Sequence, residues 1–532
     1  MNPTETPRSI FLAAVSAALL SASYPPWDLS VLAWVALVPL LLAVERGGLG
    51  SVFLTCWIFG FLRVLFLFHW ILQSRVIPAP ASFLIMGYLA LFQGLFGVSC
   101  RLLSGNLSVP LVLAAPVSWV ASEFLQSRAG FLAFPLNLLG HSQHARLDII
   151  QVADIGGVYV VSFLVVFVNA ALLVALSFLL DRENRKVEGV SPRAAAGSAV
   201  AALAIVLAAL LYGRWGDVAT DPDAQPEITV VQGNISQENI WSRAHRKENL
   251  EQYIRLTESA AGGGTSLVVW PESAIPGPLA TDLGLFIPVY RLVKRIEVPI
   301  LAGSSTIRKS HFKNIGEPPG VFNSAYLVSR DGRIAGRYDK IRLVPFREYV
   351  PLPGIIPWPE TIRRFSAQVL PGTTAKAFDG GGYRFGVAIC WDSLYPEVFR
   401  RIVGEGAGFV VNISNEAMFG ETAASHQLLA MTVFRAVENR VPIVRASNSG
   451  LSCFIGPRGE IVDWVRGDGK DLLVEGTLTR RVPVRRTSTF YANHGDLFAG
   501  GCAIVTAALL LAGIVTGIRK TPAEKVAARP LP

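Results

Sequence analysis

Residues 386–392 read GVAICWD, an apolar run that ends at a cysteine and is soon followed by Tyr395-Pro396-Glu397. A short apolar run predicts a buried strand, and a proline followed by glutamate is typical of a helix start. The sequence therefore predicts a strand that delivers the thiol of Cys390 to a sharp turn, where the next backbone N–H groups face whatever the sulfur attacks. The alternative is a buried cysteine that serves as a small apolar side chain.

The composition indicates a membrane part joined to one full-sized globular domain. The chain has 532 residues, of which 51% are hydrophobic and only 16% charged. Its net charge of +9 does not predict a nucleic-acid partner, because the basic residues are scattered or lie beside apolar segments. The five cysteines form no C-x-x-C pair, so we expect neither a zinc site nor a disulfide framework, and no cofactor.

Eight apolar segments are candidates for membrane spans, which need about 20 residues each. They are Ser9–Ala22, Ser30–Val44, Val52–Leu72, Ala81–Cys100, Val109–Leu125, Val158–Leu180, Ala194–Tyr212 and Leu497–Ile518. The first also fits a signal peptide, although the next segment follows almost at once. We expect an α-helical transmembrane bundle of seven helices in residues 1–213, a closing helix at 496–518 and a cytoplasmic tail at 519–532.

The basic residues of the short loops predict the orientation of these helices. With the N-terminus in the cytoplasm, that side receives Arg8, Arg46, Arg101, a cluster at 182–193 and the basic tail, whereas the other side receives only Arg75, Arg128 and Arg146. The positive-inside rule then places residues 225–485 outside the cytoplasm. Arg63 and Glu123 lie within spans, where pairing inside the bundle is a simpler explanation than a function of their own.

Residues 225–485 alternate strand-like and helix-like segments, which predicts an α/β domain with layered, mixed sheets. The expected strands are Ile228–Asn234, Leu267–Trp270, Pro299–Ser304, Ser324–Val328, Phe385–Ile389, Gly408–Ile413 and Ile443–Ser447. The expected helices are Arg243–Ala260, Leu283–Arg295, Pro396–Val403 and Ser425–Asn439. Asp331-Gly332 and Pro457-Arg458-Gly459 are typical of hairpin turns.

Three stretches place reactive side chains at the ends of such elements: Trp270–Ser273 with Glu272, Tyr338–Pro351 with Lys340, and the turn at Cys390. A thiol that attacks an ester or amide needs a base to take its proton, and its product oxyanion needs positive charge or N–H donors. A glutamate, a lysine and a cysteine in one pocket supply these roles without a metal. Taken singly, Glu272 and Lys340 would be solvated surface charges.

These motifs are similar to those of a known family. WPES at residues 270–273, YDK-x-x-LVPF-x-EYVP at 338–351 and the cysteine turn resemble the Glu–Lys–Cys triad of the nitrilase superfamily. With the flanking helices, and with VQGNI at 231–235 and NISNEA at 412–417, the chain resembles the bacterial apolipoprotein N-acyltransferases. It departs from their pattern at Trp391-Asp392 and Met418, which puts lid contacts and lipid preference in doubt.

The resemblance implies an αββα sandwich that moves a fatty acyl chain from a phospholipid, with phosphatidylethanolamine as the expected donor, to a diacylglyceryl-apolipoprotein. Glu272 is expected to be the base and Cys390 the nucleophile, while Lys340 and the N–H of Trp391 stabilise the oxyanion. Glu348 either lies in the pocket, where it orients Lys340 or is an ion-pair partner, or is a carboxylate of the rim. Residues that line the substrate path, if they are not core packing, are Trp241, Tyr349 and Met418. The implied location is the bacterial inner membrane, with a periplasmic catalytic domain.

Two other functions remain open at this point. The first keeps the fold and makes the protein a membrane-tethered amidase that hydrolyses a small carbon–nitrogen substrate. The second is a transporter or receptor whose external domain only binds a ligand, which predicts charged or helix-breaking residues in several spans. Arg63 is the clear example of such a residue, so this second alternative is disfavoured.

Overall fold

The computed structural model describes residues 5–73, 79–180, 191–216, 218–221, 223–308, 320–360, 363 and 368–519. The chain forms two compact units, residues 1–215 together with 496–532, and residues 216–495. The basic residues Arg75, Arg182, Arg185 and Lys186 and the tail beyond Arg519, which entered the predicted orientation, lie outside the described residues.

The first unit is built of apolar helices. Its longer helices are Glu5–Ser21, Leu49–Leu67, Ala79–Arg101, Leu111–Ser127, Val158–Leu180, Pro192–Trp215 and Leu497–Arg519. Within the described residues, four of them are long and apolar enough to cross a membrane, and the apolar stretches Pro7–Ser21 and Leu497–Gly513 are shorter. Short helices also occur at Ala33–Ala36, Val38–Arg46, His69–Gln73, Leu147–Ile150 and Ala153–Gly156.

The second apolar segment, Ser30–Val44, is not one continuous helix. It consists of a 3-10 turn at Ser30–Leu32 and the short helices Ala33–Ala36 and Val38–Arg46. Pro39 lies in the first turn of the last of these. A proline has no N–H to donate to the preceding turn but fits a helix start, so it favours a new helix at this point.

The two charged residues inside the spans have partners within the helical unit. Nη2 of Arg63 donates to the Tyr24 hydroxyl at 3.3 Å and to the carbonyl of Asn137. Oε1 of Glu123 accepts a hydrogen bond from the backbone N–H of Leu139 at 2.6 Å. Both side chains are buried, and their partners anchor the same loop, which supports the expectation of pairing inside the bundle.

The second unit contains two six-stranded sheets, with strands in the orders β13-β2-β3-β4-β5-β6 and β12-β11-β10-β9-β8-β7. The strands are β1 Thr220–Asp221, β2 Glu227–Gln232, β3 Thr265–Val269, β4 Ile300–Ile307, β5 Val321–Val328, β6 Ile334–Asp339, β7 Ala377–Asp379, β8 Arg384–Ile389, β9 Phe409–Ser414, β10 Ile443–Ser447, β11 Cys453–Ile455, β12 Ile461–Trp464, β13 Gly476–Arg481 and β14 Val484–Arg485. β2–β3–β4 and β8–β9–β10 are parallel, and the other pairings are antiparallel.

Alternating side chains of the two sheets form the main core. Leu267 and Val269 of β3 pack with Val387 and Ile389 of β8, whereas Val268 faces a second core. This second core includes side chains of the helices Arg246–Ala260 and Leu283–Ile296. On the other sheet, the helix Pro396–Gly404 packs on β8 and β9 and adjoins the helix Ala424–Asn439. The result is the predicted α/β sandwich with helices outside both sheets.

Seven predicted strands and four predicted helices are present in this unit, with ends that differ by at most three residues. Both predicted hairpins are also present. Gly332 between β5 and β6 has φ +83°, and Gly459 between β11 and β12 has φ +88°, backbone conformations that favour glycine. The mixed sheets bring the carboxyl ends of β3, β8 and β9 and the end of β6 toward one group of side chains.

Candidate active site

Cys390 directly follows β8 and begins a 3-10 turn, Cys390–Leu394. Its φ is +49°, a left-handed conformation that typically costs a residue other than glycine about 1–3 kcal/mol. Two hydrogen bonds hold the turn: the Ser393 hydroxyl donates to the carbonyl of Cys390 at 2.8 Å, and the Asp392 carboxylate accepts from the N–H of Ile389 at 3.0 Å. The predicted sharp turn is therefore present, and the fold maintains it against local strain.

Glu272 follows β3 by three residues and is buried. Its Oε1 accepts a hydrogen bond from Nδ2 of Asn323 at 2.7 Å, and its Oε2 accepts one from the backbone N–H of Asn415 at 2.9 Å. Asn415 immediately follows β9, so the second sheet supplies one of these donors. Both oxygens of Glu272 are thus held in place, as a group that must accept a proton at a defined point requires.

Lys340 directly follows β6, and only 2% of its surface is exposed. Its Nζ lies 3.0 Å from Glu348 and 3.5 Å from Oε1 of Glu272. Burial lowers the pKa of Lys340, but the carboxylates of Glu348 and Glu272 outweigh this effect and hold the pKa above its usual value. The side chain is therefore a permanent cation between two carboxylates.

Glu348 is buried beside Lys340 rather than exposed at a rim. Its Oε1 accepts from Nζ of Lys340 at 3.0 Å and from Nδ2 of Asn323 at 3.1 Å. Its Oε2 accepts from the backbone N–H of Val344 at 2.8 Å. Of the two placements considered from the sequence, the structure has the one in which Glu348 is an ion-pair partner of Lys340.

The charges of this cluster act on the thiol of Cys390. Although the residue as a whole is partly exposed, burial raises the pKa of the Cys390 thiol, and the charge of Glu272 raises it further. Lys340 opposes these effects without cancelling them. The resting sulfur is therefore a neutral thiol, which becomes a nucleophile only when a base takes its proton.

The remaining predicted residues occupy different surroundings. Trp391 lies in the cysteine turn and is half-buried. Met418 lies on the 3-10 turn Ala417–Phe419, and its sulfur contacts Arg347, the neighbour of Glu348; Tyr349 is half-buried on the other side of Glu348. Trp241 has 57% of its surface exposed, in the turn before the helix Arg246–Ala260. Met418 therefore contacts the segment that carries Glu348, Tyr349 belongs to that segment, and Trp241 is not packed into a core.

Sequence reasoning missed several residues that support the cluster. Asn323 contacts both carboxylates, and Asn415 donates to Glu272. Behind Asn415, the buried side chains of Glu416 and Arg445 form an ion pair. The NISNEA motif contains Asn415 and Glu416 and was a usable signal, whereas Asn323 lies in no motif that the sequence analysis identified.

Family models match both parts of the chain. A model described as the apolipoprotein N-acyltransferase N-terminal domain matches residues 16–171, and one described as a carbon–nitrogen hydrolase matches residues 227–486. The second unit is therefore a nitrilase-superfamily domain, in agreement with its α/β sandwich. A search of solved structures also matched Nit3 of Saccharomyces cerevisiae, a nitrilase-superfamily member, at 17% identity over 50% of this chain and 91% of that one, with a TM-score of 0.36.

Similarity to curated proteins extends over nearly the whole length. An apolipoprotein N-acyltransferase of Geobacter metallireducens is 33% identical over 515 residues, which cover 94% of this chain and 95% of the relative. One of Chlorobaculum tepidum is 29% identical over 560 residues, which cover 96% and 97%. The chain belongs to the apolipoprotein N-acyltransferase family, as its motifs predicted.

Proposed function

We propose that this protein transfers a fatty acyl chain from a membrane phospholipid, with phosphatidylethanolamine as the expected donor, to the α-amino group of the N-terminal S-diacylglyceryl-cysteine of an apolipoprotein. The observation that carries the proposal is the buried cluster of Glu272 and Lys340, with Nζ 3.5 Å from Oε1, whose charges act on the Cys390 thiol. Membership of the family supports a lipoprotein acceptor, and the long apolar helices are suited to a substrate held in a bilayer.

In the first half of the reaction, Glu272 takes the proton of the Cys390 thiol while the sulfur attacks the carbonyl carbon of the phospholipid ester. The ammonium of Lys340 and the backbone N–H of Trp391 stabilise the oxyanion that forms. When this intermediate collapses, the ester oxygen leaves with the proton from Glu272 as a lysophospholipid. The acyl chain then remains on Cys390 as a thioester.

In the second half, the α-amino group of the lipoprotein attacks the thioester carbonyl, and Glu272 removes a proton from the attacking nitrogen. Collapse of the new intermediate expels the Cys390 sulfur, which recovers its proton from Glu272, and the amide product leaves. Two substrates therefore react in turn at one thiol, which predicts ping-pong kinetics. Glu348, at 3.0 Å, positions Lys340 throughout.

The proposed location is the bacterial inner membrane, with residues 225–485 on the periplasmic side. The support is the asymmetry of basic residues among the short loops, which favours a cytoplasmic N-terminus. A cysteine-accessibility experiment on intact cells tests this: an introduced Arg330→Cys, at an exposed position in the turn after β5, should react with a membrane-impermeant maleimide. Labelling only after cell lysis would contradict the proposed orientation.

Intact-mass analysis of protein purified from membranes tests the proposed chemistry. We expect a fatty-acyl adduct on the wild type and on Cys453→Ala, whose cysteine is buried in β11, but not on Cys390→Ala. Addition of a synthetic diacylglyceryl-cysteine peptide should remove the adduct and yield the N-acyl peptide. An adduct that survives the loss of Cys390 would overturn the proposal. Release of free fatty acid without N-acyl peptide would favour a hydrolase, as in the amidase alternative.

A further inference from the structure

Asn323 contacts all three residues of the cluster: its side-chain amide bonds both carboxylates, and its backbone carbonyl bonds the main chain of Lys340. Its Nδ2 donates to Oε1 of Glu272 at 2.7 Å and to Oε1 of Glu348 at 3.1 Å. Its backbone carbonyl accepts the N–H of Lys340 at 2.8 Å. A primary amide nitrogen carries two hydrogens, and two carboxylates are within reach to accept them.

The register of β5 accounts for this placement. Ala325 and Leu327 of this strand face the core between the sheets, so Asn323 lies on the same face by the two-residue period. Ser324 faces the other way, where its hydroxyl bonds Asp339 at 2.6 Å. The bond from Lys340 to Asn323 extends the β5–β6 pairing by one residue beyond Asp339, so the same register places both the amide and the lysine.

We propose that Asn323 is a positioning residue of the transfer reaction, whose amide bridges Glu272 and Glu348 and keeps both ionised carboxylates at a fixed separation around Lys340. This inference rests on the proposed roles of Glu272 and Lys340. Two like charges that share one ammonium repel each other, and a neutral donor between them reduces that repulsion without taking the proton of either. An aliphatic side chain supplies no donor, and a carboxylate at this position adds a third negative charge.

Asn323→Asp is the sharpest test because it preserves the size of the side chain and replaces a donor by an acid. The charged groups around the new carboxylate are Glu272, Glu348 and Lys340, with Cys390 and Asp392 also acting on Lys340. Near pH 8 we expect Cys390 acylation to fall at least about 100-fold, since two charge-assisted hydrogen bonds are lost. Toward pH 5.5 the ratio to wild type should recover by about 10-fold, because the introduced carboxyl group, once protonated, donates one hydrogen bond.

The measurement is the single-turnover rate of Cys390 acylation, followed by intact mass from pH 5 to 9, with the full-length protein and phosphatidylethanolamine in mixed micelles. Asn249→Asp, in the helix Arg246–Ala260, is the matched control. Asn249 is also buried, and its Nδ2 also donates a hydrogen bond, to the backbone carbonyl of Asn239 at 2.9 Å. We expect this control to keep the wild-type pH profile. Asn323→Ala should lose activity by a similar factor at every pH, since it has no proton to gain.

A constant ratio between Asn323→Asp and wild type across the pH range would overturn the inference, as would unchanged activity of Asn323→Ala. Thermal unfolding of each variant identifies a loss of activity that is due to misfolding. If Asn323→Asp is misfolded, the activity of Asn323→Ala relative to wild type, measured at each pH, decides instead. Alkylation of Cys390 by iodoacetamide separates this inference from the proposed function, because it needs no lipid. Suppose that no lipid acylates the wild type, but the alkylation rate of Asn323→Asp relative to wild type still changes with pH. The positioning role then stands, and the proposed substrate is wrong.

Discussion

The Asp392 carboxylate accepts a hydrogen bond from the backbone N–H of Arg342 at 2.8 Å, and this bond joins the cysteine turn to the segment that follows Lys340. The same carboxylate accepts from the N–H of Ile389 at 3.0 Å and from the Tyr338 hydroxyl at 2.8 Å. One buried side chain thus connects the residue before the nucleophile with residues on both sides of the lysine. Asp392 departs from the family pattern, and here it joins the cysteine turn to the segment that carries Lys340.

The first prediction concerns the pH dependence of stability. Burial raises the pKa of Asp392 to about 6, above its ordinary value of 3.8. Between these values the folded protein holds a proton that the unfolded chain releases, so stability falls as the pH rises through this window, by about 3 kcal/mol. Asp392→Asn removes this dependence. Unfolding temperatures in detergent from pH 4 to 6.5 test this: as the pH rises, the unfolding temperature of the wild type should fall relative to that of Asp392→Asn. A constant difference between the two would contradict the prediction.

The second prediction concerns the buried ammonium. Lys340→Met leaves Glu272 and Glu348 as buried carboxylates without their shared cation, which should cost about 3–5 kcal/mol of stability and abolish acylation of Cys390. Lys470→Met is the control, because Lys470 is exposed and pairs with the exposed Glu421, a kind of pair worth at most about 1 kcal/mol. Thermal unfolding and intact mass measure the two effects. Similar unfolding temperatures for the two variants would show that the Lys340 pairs are not stabilising.

Gly303 provides a test of how Glu272 is placed. A Cβ atom at this position of β4 would lie 2.6 Å from Cα of Glu272, too close for the present backbone. Gly303→Ala should therefore displace Glu272, reduce acylation by about 100-fold as for a shift of roughly 1 Å, and cost about 1–3 kcal/mol. Gly262→Ala, where the added atom meets nothing within 4 Å, should retain wild-type acylation. Equal acylation rates in the two variants would refute this account.

The loop at residues 353–359 allows a test of contact with lipid. Ile355 has 77% of its surface exposed, whereas Trp358 packs edge-on against Phe346 and donates from its indole to the carbonyl of Pro351. Of Ile355 and Trp358, Ile355 is therefore the residue that projects and could enter a membrane interface. Ile355→Ser should reduce turnover on phospholipid vesicles several-fold but leave turnover on short-chain, detergent-dispersed phospholipid unchanged. Leu283→Ser, also at an exposed site, is the control, and equal losses in both assays would argue against a membrane contact.

The sequence was most informative where function depends on local order. Glu272 and Cys390 follow apolar runs that were predicted as strands, by three residues and by one residue, so those runs pointed to them. Lys340 directly follows β6, which was not among the predicted strands, and was identified from the motif at residues 338–351. Asn323 was not predictable in this way. Its role comes from the pairing of β5 with β6 and from partners 51 and 25 residues away, and no local pattern marks such contacts. The interruption of the second apolar segment near Pro39 is likewise a matter of backbone geometry that hydropathy alone does not show.

The left-handed backbone at Cys390 has a consequence for inactive forms of this enzyme. A glycine adopts that conformation without a steric penalty, so Cys390→Gly should unfold at a higher temperature than Cys390→Ala, whose methyl group retains the clash. Glycine would relieve the backbone strain at this turn but supplies no nucleophile. The glycine form is accordingly the better choice for trapping a complex with one unreacted lipid substrate.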